Sequence, residues 1–472
     1  MKKLLTANAI VLLLGLLCLG AGRGQTATNP KNEPMGANGV LVKAWRKTGK
    51  PKAYPTRTLD HLAGFQPRSV PLDKYGGWAG RKVEATGFFH VRKLAGRWWL
   101  IDPEGHRFLH VGVVSVGVGR GPQMKKAFAA KFSSPQDWAE KTMRLLREHG
   151  FHGTGAWSDD ELTATASQRP VTTPNWNFMS TYAGTLGKAR QVAGHKAYPN
   201  DCILVFDPGF EAFAFEHARK LAATAADPYL LGHYSDNELP FPRDLLDKAL
   251  QLPADDWTRK AAEKWLARRQ GGKLAPDKLT LADREAWRGH VAERYFDLCA
   301  RAIRKFDPNH LYLGPRLYGS EKSSQAVLAA AGRHLDAIAI NVYGVWTPDV
   351  EGFQRWTEWS GRPVIVTEWY AKGADSGMGN LTGAGWTVPT QADRGRFYQN
   401  FTLGLLETKC CVGWHWFKYY DNDPTDTKTD PSNRDSNKGI VNVRYEPYEP
   451  LLAAMKQLNR TVYPLTEFFD RE

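Results

Sequence analysis

From about residue 80 onward the chain alternates between two hydrophobic periods. Short apolar, β-prone runs are followed by longer stretches whose apolar residues recur at helical spacing. The strand-like runs are 107–116, 150–157, 173–179, 229–238, 311–318, 337–343, 363–370 and 412–419. Helical patterns lie between and after them, at 138–149, 210–225, 287–306, 323–332, 353–359, 391–408 and 448–458. Such an alternation predicts an α/β fold, and repeated eight times it predicts a (β/α)8 TIM barrel. A doubly wound sheet also alternates, but it more often carries a Gly-rich phosphate loop after an early strand, and the sequence has none.

The flanking regions break this rhythm. Residues 25–80 are rich in Pro, Gly, Thr and Lys, have little periodicity, and read as an irregular lead-in. An N-terminal β-hairpin is expected from 83–91 and 97–102, turning at Leu94-Ala95-Gly96. Residues 240–285 form a charged, partly helical insertion after the fourth strand, either a wall of a substrate cleft or a surface excursion. The first residues read as a secretory signal: Lys2 and Lys3, an apolar run from Ala7 to Leu19, then small residues. That run is short for a membrane span, so no transmembrane segment is expected. Leu17 before Cys18 is not the small residue that lipoprotein processing prefers. The expected organisation is a signal peptide at 1–24, the lead-in at 25–80 and one catalytic domain at 81–472, secreted or periplasmic.

Composition changes this picture little. At 472 residues, 42% hydrophobic and 24% charged, the chain is an ordinary globular protein with room for a large barrel. Its 17 Trp and 17 Tyr suit either sugar stacking or a bulky core. The net charge of +14 falls to +11 once Lys2, Lys3 and Arg23 leave with the signal. That balance reads as a solvated basic surface or as affinity for an anionic polysaccharide. No nucleic-acid motif accompanies the basic residues. Cys202, Cys299, Cys410 and Cys411 lack metal-ligand spacing and read as buried thiols, with one bridge left open.

Chemistry concentrates at strand ends, where an α/β barrel builds its active site. The fourth strand ends in Ser235-Asp236-Asn237-Glu238 and the seventh in Thr367-Glu368-Trp369-Tyr370. A buried strand has no packing reason to finish on Glu. Two that do so point to a carboxylate pair, the equipment for cleaving a glycosidic bond. Trp157, Asn341, Tyr343, His415 and Trp416 end other strands. No serine triad, thiol nucleophile or metal cluster is evident, and no cofactor is expected. The loop Asp421-Asn422-Asp423 with Asp426 offers oxygen ligands for Ca2+ but lacks EF-hand spacing, and reads better as a solvated acidic loop.

The two strand ends resemble the signature of clan A glycoside hydrolases. Within that clan the chain resembles family 50 β-agarases and related galactan-active enzymes. The stretches that carry it are WWLIDPEGHRFLHVG, VFDPGFE, GHYSDNEL, VTEWYAKG, TGAGWTVPTQADRGRFYQN, GWHWFKYYDNDP and SNKGIVNVRYEPY, spread over 83–458. The resemblance implies that Glu238 is the general acid/base and Glu368 the nucleophile of a retaining double displacement. Asn237 is suited to bond the sugar 2-hydroxyl, Tyr343 to hold Glu368, and Trp416 to form a stacking floor. Trp157, His233, Arg316, Asn341, Trp386 and His415 are further substrate-binding candidates, each also readable as core or rim. The expected substrate is an agarose-type galactan or its oligosaccharides. A sulfated galactan, a β-galactoside, a β-mannan, and a non-catalytic glycan-binding barrel remain alternatives.

Overall fold

In the computed structural model, which describes residues 39–272 and 275–471, parallel strands alternate with helices, an α/β fold. The expected signal peptide lies outside the described residues. Five parallel strands pair in the order Ile338–Asn341, Val364–Trp369, Cys411–Trp416, His110–Val113, Gly153–Thr154. A parallel pair, Gly232–Tyr234 with Leu311–Gly314, stands beside them. Isolated parallel bridges join Gly153 to Val171, Thr172 to Leu230, Asn175 to Tyr234, and Leu317 to Ile340.

The longer of these strands are buried at every position, which is why they read as near-continuous apolar runs. Their side chains divide between two clusters. A small one holds Val171, Leu231, Leu313, Ala339, Ile365 and Val412. The large one fills the layer between strands and helices, where Trp369 stacks on Phe401 with ring centroids 4.2 Å apart. The helices start where the sequence caps them. Ser134 accepts from the Asp137 N–H ahead of Pro135–Glu148, and Thr280 with Asp283 makes a capping box for Leu281–Phe306.

Several expected boundaries move, each for a local reason. The third strand is reduced to bridges at 171, 172 and 175, because Pro170 and Pro174 remove ladder donors, and Met179 belongs to the helix Phe178–Thr185. The hairpin pairs His90–Leu94 with Arg97–Ile101; residues 83–86 stay outside it, ahead of a turn at Gly87 with φ +84°. The lead-in carries a hairpin of its own, Val40–Ala44 against Lys52–Thr56. The insertion holds helices Leu245–Leu250 and Trp257–Arg269, and its end overlaps the start of Leu281–Phe306. A further helix, Val462–Arg471, follows Glu449–Asn459. All four cysteines of the described chain are buried and unbridged. No described helix is long and apolar enough to cross a membrane.

Candidate active site

The chain leaves its parallel strands in an unusual way. Ser115, Trp157, Glu238 and Arg316 lie just beyond the carboxyl ends of four strands, and all have positive φ, between 50° and 66°. Non-glycine residues avoid that region, and each such residue costs about 1–3 kcal/mol. Four at the carboxyl ends of parallel strands, two in the five-stranded sheet and two in the neighbouring pair, mark a place where packing forces side chains into fixed positions.

The two expected carboxylates meet there. The ladder slips between Ile340 and Asn341, so Asn341 pairs with Glu368. Asn341 is fully buried. Its Nδ2 donates to Glu238 Oε1 at 2.7 Å, and its Oδ1 accepts from the Thr367 hydroxyl at 2.7 Å. Glu368 accepts two bonds of its own. The Tyr343 hydroxyl donates to Oε2 at 2.5 Å, and Arg316 Nη2 donates to Oε1. Both glutamate side chains are 8% exposed.

Their surroundings differ. Burial pushes the Glu238 carboxyl well above the ordinary carboxylate range, and the negative charge of Glu368 adds to the push; Asn341 and Arg316 only partly oppose it. Glu368 instead sits against a guanidinium and a phenol, both donors, an environment that complements an anion. Arg316 is fixed by aromatic faces, its guanidinium carbon 5.4 Å from the Trp157 ring centroid and 5.7 Å from that of Tyr234. Two carboxylic groups in contrasting environments at one strand end are equipped to donate and to accept charge in the same reaction.

The other expected residues divide. Asn237 stands beside Glu238 and donates to the Gly194 carbonyl at 3.2 Å. Trp157 is 44% exposed and Arg316 is fully buried next to it. Four candidates are not brought to the carboxylates. Trp416 is buried on the helix side, its indole N–H donating to the Lys438 carbonyl and its ring edge-on to Trp369. The ladder there pairs Val364 with Cys411 but Ile365 with Gly413, and this slip turns Trp414 and Trp416 away from the strand-end face. His415 is buried beneath the site, its Nε2 bonded to His110 Nδ1 at 2.8 Å, and burial holds it well below the usual histidine range. His233 is buried with both ring nitrogens bonded, Nδ1 by the Trp176 indole and Nε2 by Asp307. His233, Asp307 and His310 share metal-like geometry, but these atoms already satisfy one another. Trp386 donates to the Val345 carbonyl and packs on Tyr54, so it anchors the lead-in hairpin.

The acidic loop is only partly solvated: Asp421, Asn422 and Asp423 are buried, while Asp426 is half-buried among exposed neighbours. Asp421 is fully buried and accepts from the Gly439 N–H, Asn437 and Tyr448; Asp423 accepts from Gln123 and Thr425. Sequence reasoning also passed over His195, whose Nδ1 is 4.0 Å from Glu238 Oε2, and Phe417 and Tyr370, whose rings lie 5.8 Å apart. Nothing in their local pattern distinguishes them from packing residues. A cavity of about 1110 Å³ opens beside the site, with Trp157, Trp176, Lys418 and Tyr420 on its wall. The carboxylates are not on that wall; Trp157, against Arg316, connects the two.

The chain is similar to a solved structure, the crystal structure of BpGH50. The two are 31% identical, the match covers 93% of this chain and 98% of that one, and the TM-score is 0.82. Beta-agarase B of Vibrio sp. (strain JT0107) is 24% identical over 493 residues, 83% of this chain and 50% of that protein. Beta-agarase A of the same strain is 24% identical over 380 residues, 71% of this chain and 37% of that protein. The chain thus spans half or less of the length of these two curated relatives. No family model matches the chain.

Proposed function

Because the chain belongs to glycoside hydrolase family 50, we propose that it is an exported, retaining hydrolase of β-glycosidic bonds in an agarose-type galactan or its oligosaccharides. The observation that carries the mechanism is the contrast between the two buried glutamates. Glu238 is biased toward its protonated form, and Glu368 is met by the donors Arg316 and Tyr343. The Vibrio relatives named as agarases support the substrate class.

The steps follow from those environments. Glu238 gives its proton to the glycosidic oxygen as the bond to the anomeric carbon breaks. Glu368 attacks that carbon and forms a glycosyl ester. Glu238, now ionised, takes a proton from water, whose oxygen attacks the same carbon and releases Glu368. Two inversions leave the configuration retained. Arg316 and Tyr343 hold Glu368 on line, Asn341 orients Glu238, and Asn237 bonds the sugar 2-hydroxyl. Trp157 offers an exposed ring to the sugar face.

The fold reading is a (β/α)8 barrel over residues 81–472, preceded by a signal peptide at 1–24 and a lead-in at 25–80. The parallel bridges support it, since followed in turn they connect the strand at His110 through 171–172, 232–234, 311–314 and 338–341 back to Cys411–Trp416. The test is Glu238→Gln and Glu368→Gln on agarose-derived oligosaccharides, with the product anomer read by NMR. Each variant is expected to lose at least about a thousandfold in turnover while still binding glycan. Wild-type release of the inverted anomer, or turnover that survives Glu368→Gln, refutes the mechanism. Wild-type inertness toward every galactan refutes the substrate class.

A further inference from the structure

Two loops meet beside Glu238. The first carries a short hairpin, Arg190–Gln191 paired with Lys196–Ala197, whose tip is Val192-Ala193-Gly194-His195 with Gly194 at φ +93°. The second is the stretch 428–433, which follows the parallel strand Cys411–Trp416. Asp430 joins them. Its carboxylate accepts from the Gly194 N–H at 3.1 Å and from Gln191 Nε2 at 2.8 Å, and also from the Ser432 N–H at 2.8 Å. From the strand end, Asn237 Nδ2 donates to the Gly194 carbonyl at 3.2 Å. Gly194 itself is exposed, so these bonds rather than packing hold the tip in place.

What the tip positions is His195. Its Nδ1 lies 4.0 Å from Glu238 Oε2, too far for a hydrogen bond, and its side chain is 41% exposed. The imidazole has no hydrogen bond among the described residues. Glu238 Oε1 is occupied by Asn341, which leaves Oε2 to deliver the proton. A glycosidic oxygen must come within about 2.6–3.2 Å of Oε2 to receive it, and there it stands beside the imidazole. Of the two glutamates His195 approaches only the acid, while Glu368 is met by Arg316 and Tyr343. The sugar that forms the ester lies between the two carboxyl groups. A side chain beside the acid alone therefore faces the sugar that leaves.

We infer that His195 binds the departing sugar through a hydroxyl next to the glycosidic oxygen, and that Asp430 and Asn237 hold the hairpin tip for this purpose. A neutral imidazole offers one donor and one acceptor, and a sugar hydroxyl answers either. His195 is a specificity residue for the leaving group; the proton transfers belong to Glu238. The inference rests on the hydrolase reading and adds to it the side chain that tells a sugar leaving group from any other.

The test measures kcat/KM of wild type, His195→Ala, His195→Asn and Asp430→Ala on two substrates. One is an agarose-derived oligosaccharide, the other the nitrophenyl glycoside of the glycone it yields. The nitrophenyl group brings no hydroxyl to His195. His195→Ala is expected to lose about five- to tenfold on the oligosaccharide, as removal of one hydrogen bond should give, and less than about twofold on the nitrophenyl glycoside. His195→Asn keeps an amide near the place of Nδ1 and is expected to recover most of the loss. Asp430→Ala frees the tip and is expected to reproduce the selective loss. Equal losses on the two substrates, or no loss on the oligosaccharide, overturn the inference. So does an alkaline limb that moves with His195→Ala, since the residue would then act through Glu238. If only the oligosaccharide is cleaved, that arm decides alone: the loss in His195→Ala, its recovery in His195→Asn and an unmoved limb are all required. A wild type that cleaves neither substrate refutes the hydrolase reading and the inference together, whereas an active wild type with equal losses removes His195 alone.

Discussion

Replacing Asn341 with Ala isolates one force on the acid. In the native site Asn341 Nδ2 donates to Glu238 Oε1 at 2.7 Å, and this bond favours the ionised form against burial and the charge of Glu368. A hydrogen bond to a charged acceptor is worth about 1.5–3 kcal/mol, and one pKa unit corresponds to about 1.4 kcal/mol. Loss of the bond should therefore raise the Glu238 pKa by about 1–2 units. The sign is fixed: a donor that stabilised the anion is gone, so the acid keeps its proton to higher pH. The assay is kcat/KM against pH at constant ionic strength, which reports groups of the free enzyme. The alkaline limb, where the general acid is lost, should move up by that amount. A lower kcat at the optimum is also expected, because Glu238 loses its orientation. The Thr367 hydroxyl loses its acceptor too, at a cost of about 1 kcal/mol in stability. An alkaline limb that stays put or moves down in a folded, active variant would refute the electrostatic account of Glu238.

Two further substitutions test the placement of the aromatics. Trp157→Ala removes an exposed ring that also covers Arg316, and KM should rise about tenfold with little change in melting temperature; an unaltered KM would remove Trp157 from the sugar-binding surface. Trp416→Ala empties a fully buried site between strand and helices, so denaturant unfolding should show a loss of about 3–5 kcal/mol. A stable Trp416→Ala protein with only a raised KM would mean that the ring faces substrate after all.

What the sequence disclosed and what it hid follow from the range of the forces involved. Alternating periods and strand-end glutamates are local signals, since a strand buried on both faces must be apolar until it reaches the site. That Glu238, Glu368, Tyr343 and Asn341 would stand at strand ends was legible for that reason. Which way a side chain points at a strand end is not local. The one-residue slip opposite Cys411 and Gly413 turns Trp416 toward the helices, and only the neighbouring strand reveals it. Prolines 170 and 174 were visible, but their effect on pairing depends on the strands at 153 and 230.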